Sequence, residues 1–150
     1  MNEIVVDKAE LMSIEDTMRP LGGFVGMGPT TPADYSPIAE VEIPDTPAYR
    51  LLDVDTGADF FDIPPEDALP RILERGRSPL TIEEGVAVLA HEPEVLRVRN
   101  AFSLLGSRRG DRRVPALWIS GGRPRLGWCW AGAPHSWLGA ASCAQRVASD

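Results

Sequence analysis

Thiols, an imidazole, guanidinium groups and indoles gather in the last third of this 150-residue chain. Cys129, His135 and Cys143 lie in or just beyond the stretch Gly127-Trp-Cys-Trp-Ala-Gly-Ala-Pro-His-Ser-Trp-Leu-Gly139. A thiolate beside an imidazole is a nucleophile, so Cys129 and His135 form a candidate catalytic pair. The same residue types ligate zinc, with His91 as a fourth donor. The spacing matches no recognised zinc pattern, and a free cysteine is often a small buried hydrophobe. The expectation is reduced, metal-free thiols, with Cys129 on the sheet face opposite Trp128 and Trp130. No cofactor is implied.

Arg108-Arg109-Gly110-Asp111-Arg112-Arg113 places four guanidinium groups in one loop. Such groups engage phosphates or carboxylates. Arg108, Arg109, Arg112 and Arg113, together with Trp128 and Trp130, are therefore the candidate binding residues. Intramolecular partners are available: residues 1–70 carry 15 acids against 3 basic residues, and residues 71–150 carry 12 arginines against 7 acids. The loop is expected to pair mainly with acids of the first half. A net charge of −7 disfavours nucleic acid as a partner.

A third candidate is Leu51-Leu52-Asp53-Val54-Asp55-Thr56-Gly57-Ala58, where an apolar strand delivers Asp-Thr-Gly. The turn resembles that of aspartic proteases, in which two aspartates share a proton because adjacent negative charges are costly. A single turn would need a dimer to use Asp55, and Leu104-Leu105-Gly106 would imitate the later apolar-apolar-Gly element. Between them, however, the pattern is helical where that fold needs a β flap. The alternative is an Asx-type turn at a strand end. Asp53, Asp55, Asp59 and Asp62 are out of register for a calcium loop, since glycine falls at position five and Pro64 replaces the closing glutamate. Gly23 to Pro29 reverses the dinucleotide fingerprint and puts Pro29 where a helix should start.

The elements that must carry these residues are short. Residues 20–47 hold so many prolines and glycines that an irregular arm is expected, leaving 48–146 as the core of a single domain, 1–150. Tyr49 to Val54 reads as a buried strand. Leu69, Ile72 and Leu73 suggest a short helix ending at Gly76, started late or kinked by Pro70. Thr81 to Glu84 is a capping box, followed by Ile82, Val86 and Leu89 on one helical face until Pro93. Ala101–Leu105, Val114–Ile119 and Leu126–Trp130 read as an antiparallel meander, with Pro115 at a strand start or outward edge. Alternation puts Leu126, Trp128 and Trp130 on one face. The fold class is α+β: an antiparallel sheet with a C-terminal three-strand meander and two or three short helices packed on one face.

No apolar run approaches the roughly 18 residues of a membrane helix. The start, with Glu3, Asp7 and Glu10, lacks a signal sequence's basic head and apolar core, so a cytoplasmic location is expected. Only Lys8 among 15 basic residues is lysine. The strings Arg75-Gly-Arg-Ser-Pro-Leu-Thr-Ile-Glu-Glu-Gly85, Gly110-Asp-Arg-Arg-Val-Pro-Ala-Leu-Trp-Ile-Ser120 and Leu126-Gly-Trp-Cys-Trp-Ala-Gly132 resemble an uncharacterised actinobacterial domain family of unknown function, over about residues 40–146. The resemblance implies an actinobacterial cytoplasm and a longer N-terminal region in other members, and it brings no activity. The leading reading is a non-catalytic binding or interaction module with a protein partner or self-association. The alternative is an enzyme using Cys129 and His135, or Asp55 in a dimer.

Overall fold

The computed structural model describes residues 1 and 3–149. In its first half the strands are β1 (Glu3–Asp7), β2 (Phe24–Val25), β3 (Ser36–Pro37) and β4 (Ala48–Leu52). They are followed by β5 (Ser78–Pro79), β6 (Ala101–Ser103), β7 (Ser107–Arg108), β8 (Arg113–Ser120) and β9 (Arg123–Trp130). The chain closes with β10 (Leu138–Ala140), β11 (Ser142–Cys143) and β12 (Gln145–Ala148). The α-helices are α1 (Ile14–Met18), α2 (Pro65–Glu74) and α3 (Ile82–His91). The class is α+β, as the patterning indicates.

Two sheets share the core. One is antiparallel, in the order β1-β4-β12, and joins the two ends of the chain through β4. The other runs β10-β6-β8-β9-β2. Its centre is the expected antiparallel meander of β6, β8 and β9, while β10 and β2 are added in parallel at its edges. The β8–β9 hairpin is tighter than the sequence suggests. Gly121 and Gly122 both take positive φ, 59° and 77°, which a two-residue hairpin turn of this hand demands. Residues 20–47 contain only two-residue strands and single 3-10 turns, and they run along strand edges at β9 and β7.

Pro115 is the third residue of β8, inside the strand and not at its start. Its carbonyl accepts from the Leu104 N–H at 2.8 Å, one residue beyond the end of β6. The Leu104 carbonyl that a donor at 115 would engage accepts instead from Ser107 N–H at 3.2 Å. The missing donor therefore leaves no orphan acceptor.

Helix α2 begins five residues ahead of Pro70. Pro65 at the first helical position has its φ preset, and Glu66 N–H donates to Ala131 O at 2.9 Å, so the first turn is anchored before the ring is met. The buried face is Pro65, Ala68 and Ile72, whereas Leu73 is exposed. Helix α3 is buried nearly all round, because its side chains join one hydrophobic cluster with Ile4, Val6 and Leu51 of one sheet and Phe102, Leu117 and Leu126 of the other.

The capping box of α3 forms as the sequence indicates. Thr81 Oγ1 accepts from Glu84 N–H at 3.3 Å, and Glu84 Oε1 accepts from Thr81 N–H at 2.9 Å. Glu84 does more than cap. Its side chain is fully buried, and its Oε2 accepts from Tyr49 Oη at 2.7 Å and from Arg146 Nε at 2.6 Å. Arg146 closes a fork with Nη2 on Glu84 Oε1 at 2.8 Å and donates two further N–H groups to Ser78 Oγ and Pro79 O. Burial pushes the Tyr49 phenol well above its ordinary range, and the neighbouring Glu84 charge pushes it further. Removing one partner of a buried pair strands the other charge, at about 3–5 kcal/mol, while loss of a neutral donor costs about 1–3 kcal/mol. Urea unfolding of Arg146→Met and Glu84→Gln should therefore show losses of about 3–5 kcal/mol each, and Tyr49→Phe a smaller one. A loss below about 1 kcal/mol for Arg146→Met would show that the pair does not hold the fold.

Candidate functional site

The arginine loop is placed by the start of β8. Asp111 organises it from within: its carboxylate accepts from Arg113 N–H at 3.0 Å and pairs with Arg113 Nη1 at 2.7 Å and Arg109 Nε at 3.2 Å. Arg108 Nη2 donates to the Asp111 carbonyl at 2.8 Å. Among the described residues, Arg112 is the one of the four whose side chain pairs with an acid of the first half, Glu66 at 2.6 Å. The expected main partnership with first-half acids is thus mostly replaced by Asp111, because a carboxylate two residues from two arginines costs the least chain entropy to engage.

Arg113 turns toward the indoles. In the β8–β9 register Arg113 faces Trp130 and Pro115 faces Trp128, so all four share one sheet face. The Arg113 guanidinium lies 4.8 Å from the Trp128 ring centre and 5.7 Å from that of Trp130, and the indoles meet edge to face at 4.6 Å. The two tryptophans have different roles. Trp128 is half-buried and fixed by its Nε1–H donating to Met27 O at 2.8 Å, whereas Trp130 is 52% exposed. Trp130 is therefore an apolar surface held on a rigid backing.

The groups proposed for catalysis do not converge. Cys129 is buried opposite Val114, on the face away from Trp128 and Trp130. His135 stacks on Trp137, with ring centres 4.7 Å apart. Cys143 is buried in β11. Among the described residues, no three His, Cys, Asp or Glu side chains are grouped to hold a metal ion. Asp55 closes the Asx turn, its carboxylate accepting from Gly57 N–H at 2.7 Å. Gly57 is needed there for its φ of 83° and because the Ala140 backbone occupies the space of a Cβ.

Sequence reasoning passed over a second aromatic and basic surface on the opposite face of the hairpin. Trp118 pairs with Arg125 across β8 and β9, and the Arg125 guanidinium lies 5.0 Å from the indole centre. Phe24 of β2 carries Arg123 at 4.7 Å. The signal was present as Trp118 and Arg125 in adjacent strands, but their pairing depends on the hairpin register. Glu83 was also passed over. It lines a cavity of about 190 Å³ with Lys8 and Tyr49, and burial raises its carboxyl above the ordinary range.

Burial raises both thiols to about 11, so at neutral pH about one in ten thousand is thiolate. Iodoacetamide at neutral pH should label neither cysteine until the protein is unfolded, and rapid stoichiometric labelling of Cys129 in the native protein would contradict its packing. The phenol of Tyr49 shifts in the same direction. Folding therefore raises proton affinity at all three groups, and the folded chain binds more protons than the unfolded one above about pH 9. The stability they contribute is complete below that pH. Melting temperature should fall as pH rises from about 9 to 11, and a flat profile would show that these groups are solvated.

No curated protein and no solved structure matches the chain. A family model does, over residues 2–149. The chain belongs to a family of unknown function, DUF5701.

Proposed function

We propose that the protein is a non-catalytic interaction module of the cytoplasm, with Trp130 as the centre of its contact surface and a protein as its partner. The observation that carries this reading is the half-exposed Trp130, seated against the immobilised Trp128 and the Arg113 guanidinium. Tryptophan and arginine dominate binding hot spots because a large rigid apolar surface is desolvated at little entropic cost. Arg109 and Arg112 stand at the rim. Their charges already face Asp111 and Glu66, which favours a mixed protein surface over a polyanion needing many free cations. Burial outweighs the one cation that acts on Cys129, Arg125, so its thiol stays protonated; His135 is stacked on Trp137, and Asp55 is committed to its turn.

Affinity capture from the native host, followed by reconstitution of the recovered complex, tests this. Trp130→Ala should weaken the reconstituted complex roughly thirtyfold or more, the scale of a hot-spot residue, with melting temperature nearly unchanged. Native mass spectrometry separates a second copy from a different protein. A complex that forms equally well with Trp130→Ala would reject the surface.

A further inference from the structure

A pocket lies at the other end of the β8–β9 hairpin from Trp130. Trp118, Ile119, Trp137, Ser136, Val98 and Arg99 line an open cleft of about 480 Å³, within the size range of small-molecule sites. The parallel pairing of β10 with β6 brings Trp137 to this end of the sheet, and its carbonyl accepts from Ala101 N–H at 2.9 Å. Both indoles are braced, Trp137 by His135 and Trp118 by Arg125. Val98 and Arg99 form the tip of a tight turn closed by two backbone hydrogen bonds between Arg97 and Asn100, at 3.0 and 3.3 Å. Turn tips ordinarily carry Gly, Asn, Asp or Pro. Here the tip presents a β-branched valine, 70% exposed, toward two indoles.

Charge specifies what fits. Among the described residues, no carboxylate pairs with Arg99, nor with Arg125, Arg123 or Arg97. Among the described residues, the hydrogen bonds of Arg125 and Arg123 go to backbone carbonyls of Gly22, Gly23 and Gly26, and their guanidiniums rest on the Trp118 and Phe24 rings. A chain of net charge −7 thus keeps one guanidinium without a carboxylate partner, Arg99, in the lining of this aromatic-walled cavity, and a second, Arg125, packed on the Trp118 ring that forms its wall. Indole faces attract planar rings, and a guanidinium at the rim attracts an anion.

We infer that this cavity binds a small planar aromatic ligand bearing an anionic group, with the ring against Trp118 and Trp137 and the anion on Arg99. The chemistry is shared by mononucleotides and aromatic carboxylates. The indole N–H signals of the four tryptophans, followed by NMR during titration, test it with AMP and with indole-3-acetate as separate probes. Trp118 and Trp137 should shift and saturate with at least one probe while Trp128 and Trp130 stay in place, and the probe that saturates identifies the source. Adenosine, which lacks the phosphate of AMP, and ribose 5-phosphate, which lacks its base, should each bind at least tenfold more weakly than AMP if that is the source. Arg99→Gln, an exposed change expected to leave melting unaltered, should weaken the anionic probe at least tenfold. The inference fails if neither probe moves Trp118 and Trp137 at millimolar concentration, or if Arg99→Gln binds as well as the wild type. It fails equally if ribose 5-phosphate alone reproduces the shifts, or if only an oligonucleotide does.

Discussion

The Glu84 carboxylate is fully buried, and the rest of the fold is arranged so that it is never without partners. Four donors reach it: the Thr81 N–H from the start of its own helix, the Tyr49 hydroxyl from β4, and two nitrogens of Arg146 from β12. Arg146 extends the network to Ser78 and Pro79 of β5, which pairs with β11. A helix, a central strand, the final strand and a short edge pair thus meet on one charge. A hydrophobic replacement of matching shape can equal such a pair in stability, so the specific contribution of the network is to register. Arg146 sits opposite Leu51, on the same buried face as Tyr49. A slip of one residue in β12 would turn the guanidinium to the other face and leave Glu84 unpaired in the core.

That clamp lets the second sheet present its side chains outward without losing its core. Along the β8–β9 hairpin, Leu117 and Leu126 are buried in the middle, while the two ends carry different aromatic groups. Trp130 and Trp128 stand at one end beside Arg113. Trp118 stands at the other and faces away from them, since it is an odd number of residues from the Trp128 partner, Pro115. The electrostatics differ as well. Asp111 and Glu66 moderate the Trp130 end, and no carboxylate moderates Arg99 or Arg125 among the described residues.

What the sequence made legible was local. The Thr81–Glu84 box, the three meander strands, the alternation through Trp128 and Trp130, and the Asx turn at Asp55 each depend on residues a few positions apart, where period and side-chain chemistry suffice. Glu84 was legible only as a cap, because Tyr49 and Arg146 lie 35 and 62 residues away. The face of α2 was read correctly at Ile72 and Leu69, which meet the cluster of Phe60, Leu105 and Val114, and misread at Leu73, which is apolar by type but exposed, while Ala68 takes the buried position. The cavity between Trp118 and Trp137 was invisible for a topological reason. It requires β10 to pair in parallel with β6, a crossover that no turn motif announces.

The claim that one buried carboxylate locks the chain's last strand into the core is tested most directly by native-state hydrogen exchange. A C-terminal strand without such a tie frays at little cost. The bonded amides of β12 should exchange only with global unfolding, at the same free energy as those of β4 and α3. Exchange of β12 amides at a free energy lower by about 2 kcal/mol or more, while β4 and α3 stay protected, would contradict it.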